Sequence, residues 1–244
     1  MRTLHVLMML IGTTLLVGCG GGGGGPVYSG GGTTPATHLR SPLPGDTYNY
    51  TLSGKLQAIG TNVSYSFTGN LVIGFSQTNY NGASVLLRNS ALTLNLSNGQ
   101  TLAVNEQEIE SSDSSGDLVG LANIQNGTVD PLSPPVITAP AAWSNALSID
   151  QQTTTSFGIS YVDSFTVVGA ENVSTPIGTF ACWKVNFTSN SSSSSNTNET
   201  IWYAPEMGDA PIKESGTTTI VASDGNTYTA TINSILSSTN VPIS

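Results

Sequence analysis

The chain has 244 residues, six Lys and Arg against fifteen Asp and Glu, and only 9% charged residues. From Asp46 onward four cations face all fifteen carboxylates, a net of −11, which repels phosphate backbones and anionic headgroups and argues against nucleic acid as a partner. Both histidines, His5 and His38, precede Asp46, which removes Ser-His-Asp and Cys-His catalysis and His-containing zinc sites from the rest of the chain.

The N-terminus opens with Arg2 and an almost wholly apolar run from Leu4 to Val17. That run is too short to span a bilayer at ~20 residues per transmembrane helix, and it suits the apolar core of an export signal. Leu16-Val17-Gly18-Cys19 closes it and resembles the lipobox of bacterial lipoproteins. The resemblance implies that residues 1–18 are a signal peptide and that Cys19, diacylated through its sulfur, becomes the first residue of the mature protein. Two acyl chains give stable anchoring at ~0.8 kcal/mol per buried CH₂. The residue after the cysteine is Gly20, and the lack of an aspartate there resembles outer-membrane sorting in a two-membrane bacterium. Residues 19–43 are rich in Gly, Thr, Ser and Pro with no apolar period, a flexible tether reaching roughly 25–30 Å. Residues 44–244 are expected to form a single β domain.

From Asp46 the pattern has a period of two. Tyr48, Tyr50, Leu52 and Leu56 alternate with polar residues, and then Val63, Tyr65, Phe67, Leu71, Ile73 and Phe75 do the same, as half-buried antiparallel strands do. Asn81-Gly82 is a turn, Val85–Leu96 a strand, and Asn98-Gly99 a hairpin into Thr101–Ile109. Residues 127–148 carry Pro131, Pro134, Pro135 and Pro140 and read as a long connection. Within it, Ala141–Leu147 is a candidate short helix whose Trp143 caps an open end of the core. Strands resume near Thr154, turn at Ser174-Thr175-Pro176 and return from Thr179. Residues 189–198 read as a polar loop, and the last strands turn at Asp224-Gly225. Nine to eleven strands with almost no helix predict an all-β fold: one strongly curved antiparallel sheet, open or nearly closed into a barrel. A two-sheet sandwich is the alternative.

Two patches stand out from the Ser/Thr/Asn background: Pro176-Ile177-Gly178-Thr179-Phe180, and Trp202-Tyr203-Ala204-Pro205-Glu206-Met207-Gly208 followed by Lys213. With the opening Pro42 to Tyr50, they resemble a family of uncharacterised bacterial envelope lipoproteins, in which a Trp is more usual at Tyr48. The resemblance spans Pro42 to about Ala222 and implies a curved antiparallel sheet in the periplasm, with no established activity. The extra Asp209-Ala210-Pro211 departs from the family's shorter turn before Lys213.

Few residues offer chemistry. Trp202 and Tyr203 are either an aromatic wall for an apolar or sugar ligand, or an alternating pair with one ring in the core and one on the outer face. Glu106, Glu108 and Glu110 share one face of a strand; paired carboxylates suit glycoside hydrolysis, whereas a solvated row suits an edge strand. The solvated row is the expected arrangement, with Ile109 pointing to the core. Cys182 lies in an apolar strand and is expected to be buried. Asp113 and Asp117 match a calcium loop only loosely. No motif implies a cofactor or a metal. The sequence therefore predicts a non-catalytic, lipid-anchored envelope protein, bound to the membrane through acyl chains on Cys19 and binding a ligand or envelope protein or serving a structural role. A half-barrel carrier of a lipid or other apolar molecule is one alternative, and a carboxylate hydrolase is the other.

Overall fold

The computed structural model describes residues 34–193, 195–208, 210–221 and 227–242. Twelve strands follow one another: β1 (Thr47–Ala58), β2 (Ser64–Tyr80), β3 (Ala83–Leu96), β4 (Thr101–Ser112), β5 (Leu118–Gln125), β6 (Thr128–Ala139), β7 (Ser148–Ser156), β8 (Ile159–Thr175), β9 (Gly178–Ser191), β10 (Asn196–Tyr203), β11 (Pro211–Val221) and β12 (Thr227–Thr239). A single 3-10 turn, Pro205–Met207, is the only helical element among the described residues, so none of their helices could cross a membrane.

The strands form one antiparallel sheet in the order β6-β5-β4-β3-β2-β1-β12-β11-β10-β9-β8-β7. Each strand pairs with its chain neighbour, and β1 pairs with β12, so the sheet curls into a nearly closed barrel. The one break falls between β6 and β7. This bears out the curved-sheet expectation, with twelve strands where nine to eleven were expected.

Three local expectations need correction. The proline-rich residues 127–148 are not simply a connection, because most of them form β6. Pro131, Pro134 and Pro135 lie on that strand, and an edge strand is the place in a sheet that tolerates missing N–H donors. Residues 141–147 contain no helix, although Trp143 does bury an end of the core, at 2% exposure. Residues 189–198 are mostly strand, as β9 runs to Ser191 and β10 begins at Asn196. The turns at Asn81-Gly82 and Asn98-Gly99 are as expected, with Asn81, Gly82 and Gly99 all at positive φ. The Asp224-Gly225 turn lies outside the described residues.

Alternation decides what fills the barrel. Tyr48, Tyr50 and Leu56 of β1, Phe67, Leu71 and Ile73 of β2, and Leu92, Leu94 and Leu96 of β3 form one buried cluster. A second, built by Phe165, Val185, Phe187, Ile201 and Tyr203, is closed at one end by Trp143, which packs 5.5 Å from Phe165 and 5.1 Å from Tyr203. The C-terminal part of the segment read as tether is seated at this end: the Trp183 indole N–H donates to Ala36 O, Trp143 N to Thr37 O, and Leu39 N to Ala141 O.

Glycines set how tightly the sheet can curl. A Cβ on Gly54 would collide with Phe67 opposite it, on Gly69 with Thr93 and Leu94, and on Gly216 with Glu199. In each case the missing side chain leaves room for a neighbour's side chain on the interior face. Gly74 differs, since its nearest neighbours would lie 3.8 Å away. Gly69→Ala should therefore destabilise by about 1–3 kcal/mol and Gly74→Ala by no more than about 0.5 kcal/mol, read from denaturant unfolding. Equal costs would refute this account of the interior glycines.

Candidate functional site

Cross-strand register carries one face of the sheet all the way round the barrel. Phe67 lies opposite Leu96, and Ser90 and Arg88 lie opposite Glu106 and Glu108, so these carboxylates share the face of Leu92, Leu94 and Val104. In the other half, Leu52 faces Ser234, Ser234 faces Glu214, Glu214 faces Ile201, and Gly216 faces Glu199. Phe187, opposite Glu199, faces Phe165, and Ser189 faces Asp163. Glu106, Glu108, Glu110, Asp163, Glu199 and Glu214 therefore all project into the barrel, together with Arg88.

This overturns the expected solvated row. β4 lies between β3 and β5, not at an edge, and Glu108 and Glu110 are 6% and 0% exposed. Ile109, which alternates with them, belongs to a separate cluster with Val85 and Ala122 on the opposite face. The signal was present in the numbering: Leu102, Val104, Glu106, Glu108 and Glu110 share one parity, as do Arg88, Leu92, Leu94 and Leu96. Asp163 shares its parity with Phe165, Glu199 with Ile201, and Glu214 with Ile212.

Arg88 is 2% exposed, with Nη1 3.6 Å from Glu108 Oε2 and 3.9 Å from Glu110 Oε1. Gly120 makes room for this pairing, because a Cβ there would come within 2.5 Å of Glu108 Oε1. Among the described residues, neither oxygen of Glu110 has a hydrogen-bond partner, nor does Glu199 Oε2. Across the barrel, the Ser234 hydroxyl donates to Glu214 Oε2 at 2.8 Å. Glu106 and Glu214 keep some accessible surface although they lie on the interior face. Burial raises the pKa of Glu106, Glu110 and Glu214 to about 7 each, against the opposing pull of Arg88. It raises Asp163 to about 6, and Glu199 goes well above the usual carboxylate range through burial and then the nearby Glu214. Among the described residues, no group of three or more His, Cys, Asp and Glu side chains is disposed to hold a metal ion.

The other candidates fall elsewhere. Cys19 lies outside the described residues. Trp202 and Tyr203 are consecutive on β10, go to opposite faces, and are both buried, at 6% and 0% exposure. Trp202 packs with Val173, Phe180 and Cys182, donates to Glu171 Oε1 at 2.6 Å, and carries Lys213 Nζ 4.3 Å above its ring. Tyr203 joins the Trp143 cluster inside. Cys182 is fully buried, and burial, then the charges of Glu206 and Glu171, push its thiol pKa up. Asp113 Oδ1 accepts from Ser115 N and Asp117 N, and Asp117 Oδ1 from Ala141 N; both carboxylates brace turns.

Raised carboxylate pKa values fix the sign of a pH effect. A carboxyl that holds its proton more tightly when folded contributes fully below about pH 4.5, and loses that contribution as pH rises through its folded value near 7. The thermal midpoint should therefore fall between about pH 5.5 and 8.5. Glu110→Gln should flatten that fall, and a midpoint that rises across this window would contradict the interior placement.

A model of the family described as DUF3108-like matches residues 141–213, under a third of the chain. The match takes in both aromatic patches and stops short of Pro42–Tyr50. No curated protein matches the sequence. Among solved structures, a Bacteroides fragilis protein assigned as exported, with a YmcC-like fold, is 13% identical, with a TM-score of 0.36 over 84% of this chain and 99% of that one. A Parabacteroides distasonis protein assigned as a lipoprotein is also 13% identical, with a TM-score of 0.34 over 83% of this chain and 98% of that one. DynF, from the dynemicin biosynthesis pathway of Micromonospora chersina, is 10% identical, with a TM-score of 0.25 over 88% of this chain and 92% of that one. At such scores these likenesses imply nothing about this barrel's role.

Proposed function

We propose that this chain is an exported, lipid-anchored envelope protein whose barrel binds a ligand or a partner without catalysing a reaction. The observation that carries the reading is Leu16-Val17-Gly18-Cys19, set between an apolar run and the glycine tract from Gly20 to Gly25. Anchored through Cys19, the barrel is held beside the membrane, and Gly20 favours the outer membrane.

The absence of catalysis is supported by the disposition of the reactive groups. No histidine follows His38, and the Cys182 thiol is buried. The carrier reading meets a packed apolar region on the concave face, where Tyr50, Phe67, Leu71 and Leu94 are each no more than 5% exposed.

Cys19→Ser should leave the precursor unprocessed or release a soluble product when membranes and supernatant are fractionated. A variant that stays with the membrane and keeps the acyl mass would refute the anchor. Turnover of a glycoside or ester by the wild type, lost in Glu106→Gln with the fold intact, would refute the non-catalytic part separately.

A further inference from the structure

Backbone ladders join the strands of the ring except between β6 and β7, where the hydrogen bonds that span the gap run through side chains. The Gln152 Nε2 donates to Ile137 O at 3.1 Å, and its Oε1 accepts from Ile137 N at 2.7 Å. The Thr154 hydroxyl donates to Pro134 O, Asn123 Nδ2 to the Ser156 hydroxyl, and Phe157 N to Asp130 Oδ2. A bulge between Ile149 and Gln152, with Gln151 at a φ of 50°, brings Gln152 to the gap. A ladder bonds along a whole strand, so these few side-chain bonds are the part of the ring that opens at least cost.

Gln152 is also the cross-strand partner of Asp163 on β8, which is 6% exposed and accepts a hydrogen bond from the Ser189 side chain. Behind the Gln152 amide there is space for about one water, between Val136, Ile149, Phe165 and Phe187. An ionised carboxylate there would have one hydroxyl and about one water in place of a full hydration shell, and burial raises the Asp163 pKa to about 6. The titratable groups facing this region are Tyr161 on β8, which feels the charges of both Asp163 and Glu106, and Glu106 on β4, which Arg88 pulls on from β3. β7 and β9 bring Gln152 and Ser189, and β6 brings Val136 and Thr138, none of which titrates. Charging Asp163 therefore adds to an acidic interior, and parting the adjacent seam is the shortest way to bring water to it.

We infer that the β6–β7 seam is a pH-sensitive latch: Gln152 holds Ile137 while Asp163 is protonated, and the seam parts locally, with the rest of the ring intact, once Asp163 ionises. The sign follows from proton linkage. Asp163 holds its proton more tightly when the seam is closed, so closure is favoured at low pH and is lost as pH rises through about 6. The latch belongs to the barrel alone and goes beyond the anchor on Cys19.

The test is amide hydrogen exchange of the purified full chain in uncharged detergent at about pH 4.5 and 7.5, read by NMR, with each rate divided by the intrinsic rate at that pH. A carboxyl held near 6 when the seam is closed, and returned to the ordinary Asp value when it is open, raises the opening equilibrium on the order of tenfold across this range. Protection of the Ile137 N–H should therefore fall on the order of tenfold more than that of the β1 amides, which lie in ladders on both sides. Asp163→Asn should remove this difference. Gln152→Ala should leave Ile137 poorly protected at both pH values with β1 unaltered, and should lower the Asp163 carboxyl titration, followed by ¹³C, by admitting water. The latch is overturned by Ile137 protection that does not change, by an equal fall at Ile137 and β1, or by a difference that persists in Asp163→Asn. Should Asp163→Asn not fold, Gln152→Ala decides: full protection of Ile137, or an unmoved Asp163 titration, overturns the latch.

Discussion

The ladder between β1 and β12 is the interaction on which the rest of the barrel depends. It pairs Tyr48 with Thr239 and continues to Ala58 opposite Tyr228, joining the two ends of the domain. The other strand pairs lie between chain neighbours and need only short turns, whereas this one closes a loop of almost the whole domain. Loop closure grows only logarithmically with length, at about 0.6 kcal/mol per doubling, so one long ladder suffices to hold the ring. Once β1 meets β12, any opening falls opposite, at β6 and β7, where prolines have removed backbone donors. The seam is thus a consequence of where the ring is closed.

The same closure brings the interior carboxylates toward one another. Glu106, Glu108 and Glu110 arrive on β4, Asp163 on β8, Glu199 on β10 and Glu214 on β11; without the β1–β12 ladder, the two halves of this layer would have no reason to meet. One guanidinium cannot balance six carboxylates, and a buried ion pair is by itself weak evidence of stability. The interior answers largely by retaining protons, which keeps most of the layer uncharged in mildly acidic conditions.

Much of the fold was legible in the sequence. Period-two alternation from Tyr48 to Leu96, with turns at Asn81-Gly82 and Asn98-Gly99, specifies antiparallel neighbours almost without help from tertiary structure. The reading failed where residue type was given more weight than position. Three prolines near Pro134 suggested a loop, because a proline run argues against a central strand, yet it is compatible with an edge. The serine tract after Ser189 suggested a loop for its composition, although its alternation continues that of Phe187. The glutamates of β4 suggest a solvated row because carboxylates usually face water, although they continue the parity of Leu102 and Val104. What no local pattern could supply was the partner: Arg88 lies on another strand, and only pairing of β3 with β4 places it opposite Glu108. Likewise, Gln152 has no signature, because its role depends on Ile137 lying across a gap that the strand order creates.

The account turns on an interior layer of carboxylates that hold their protons near neutrality. Selective ¹³C labelling of the Glu and Asp carboxyl carbons, followed by NMR from about pH 3 to 9, measures this directly. At least four of them should titrate between about pH 6 and 8, in keeping with the values near 7 for Glu106, Glu110 and Glu214 and near 6 for Asp163. If every carboxyl titrates below about pH 5, as solvated Asp and Glu do, the layer does not face the interior and the account is wrong.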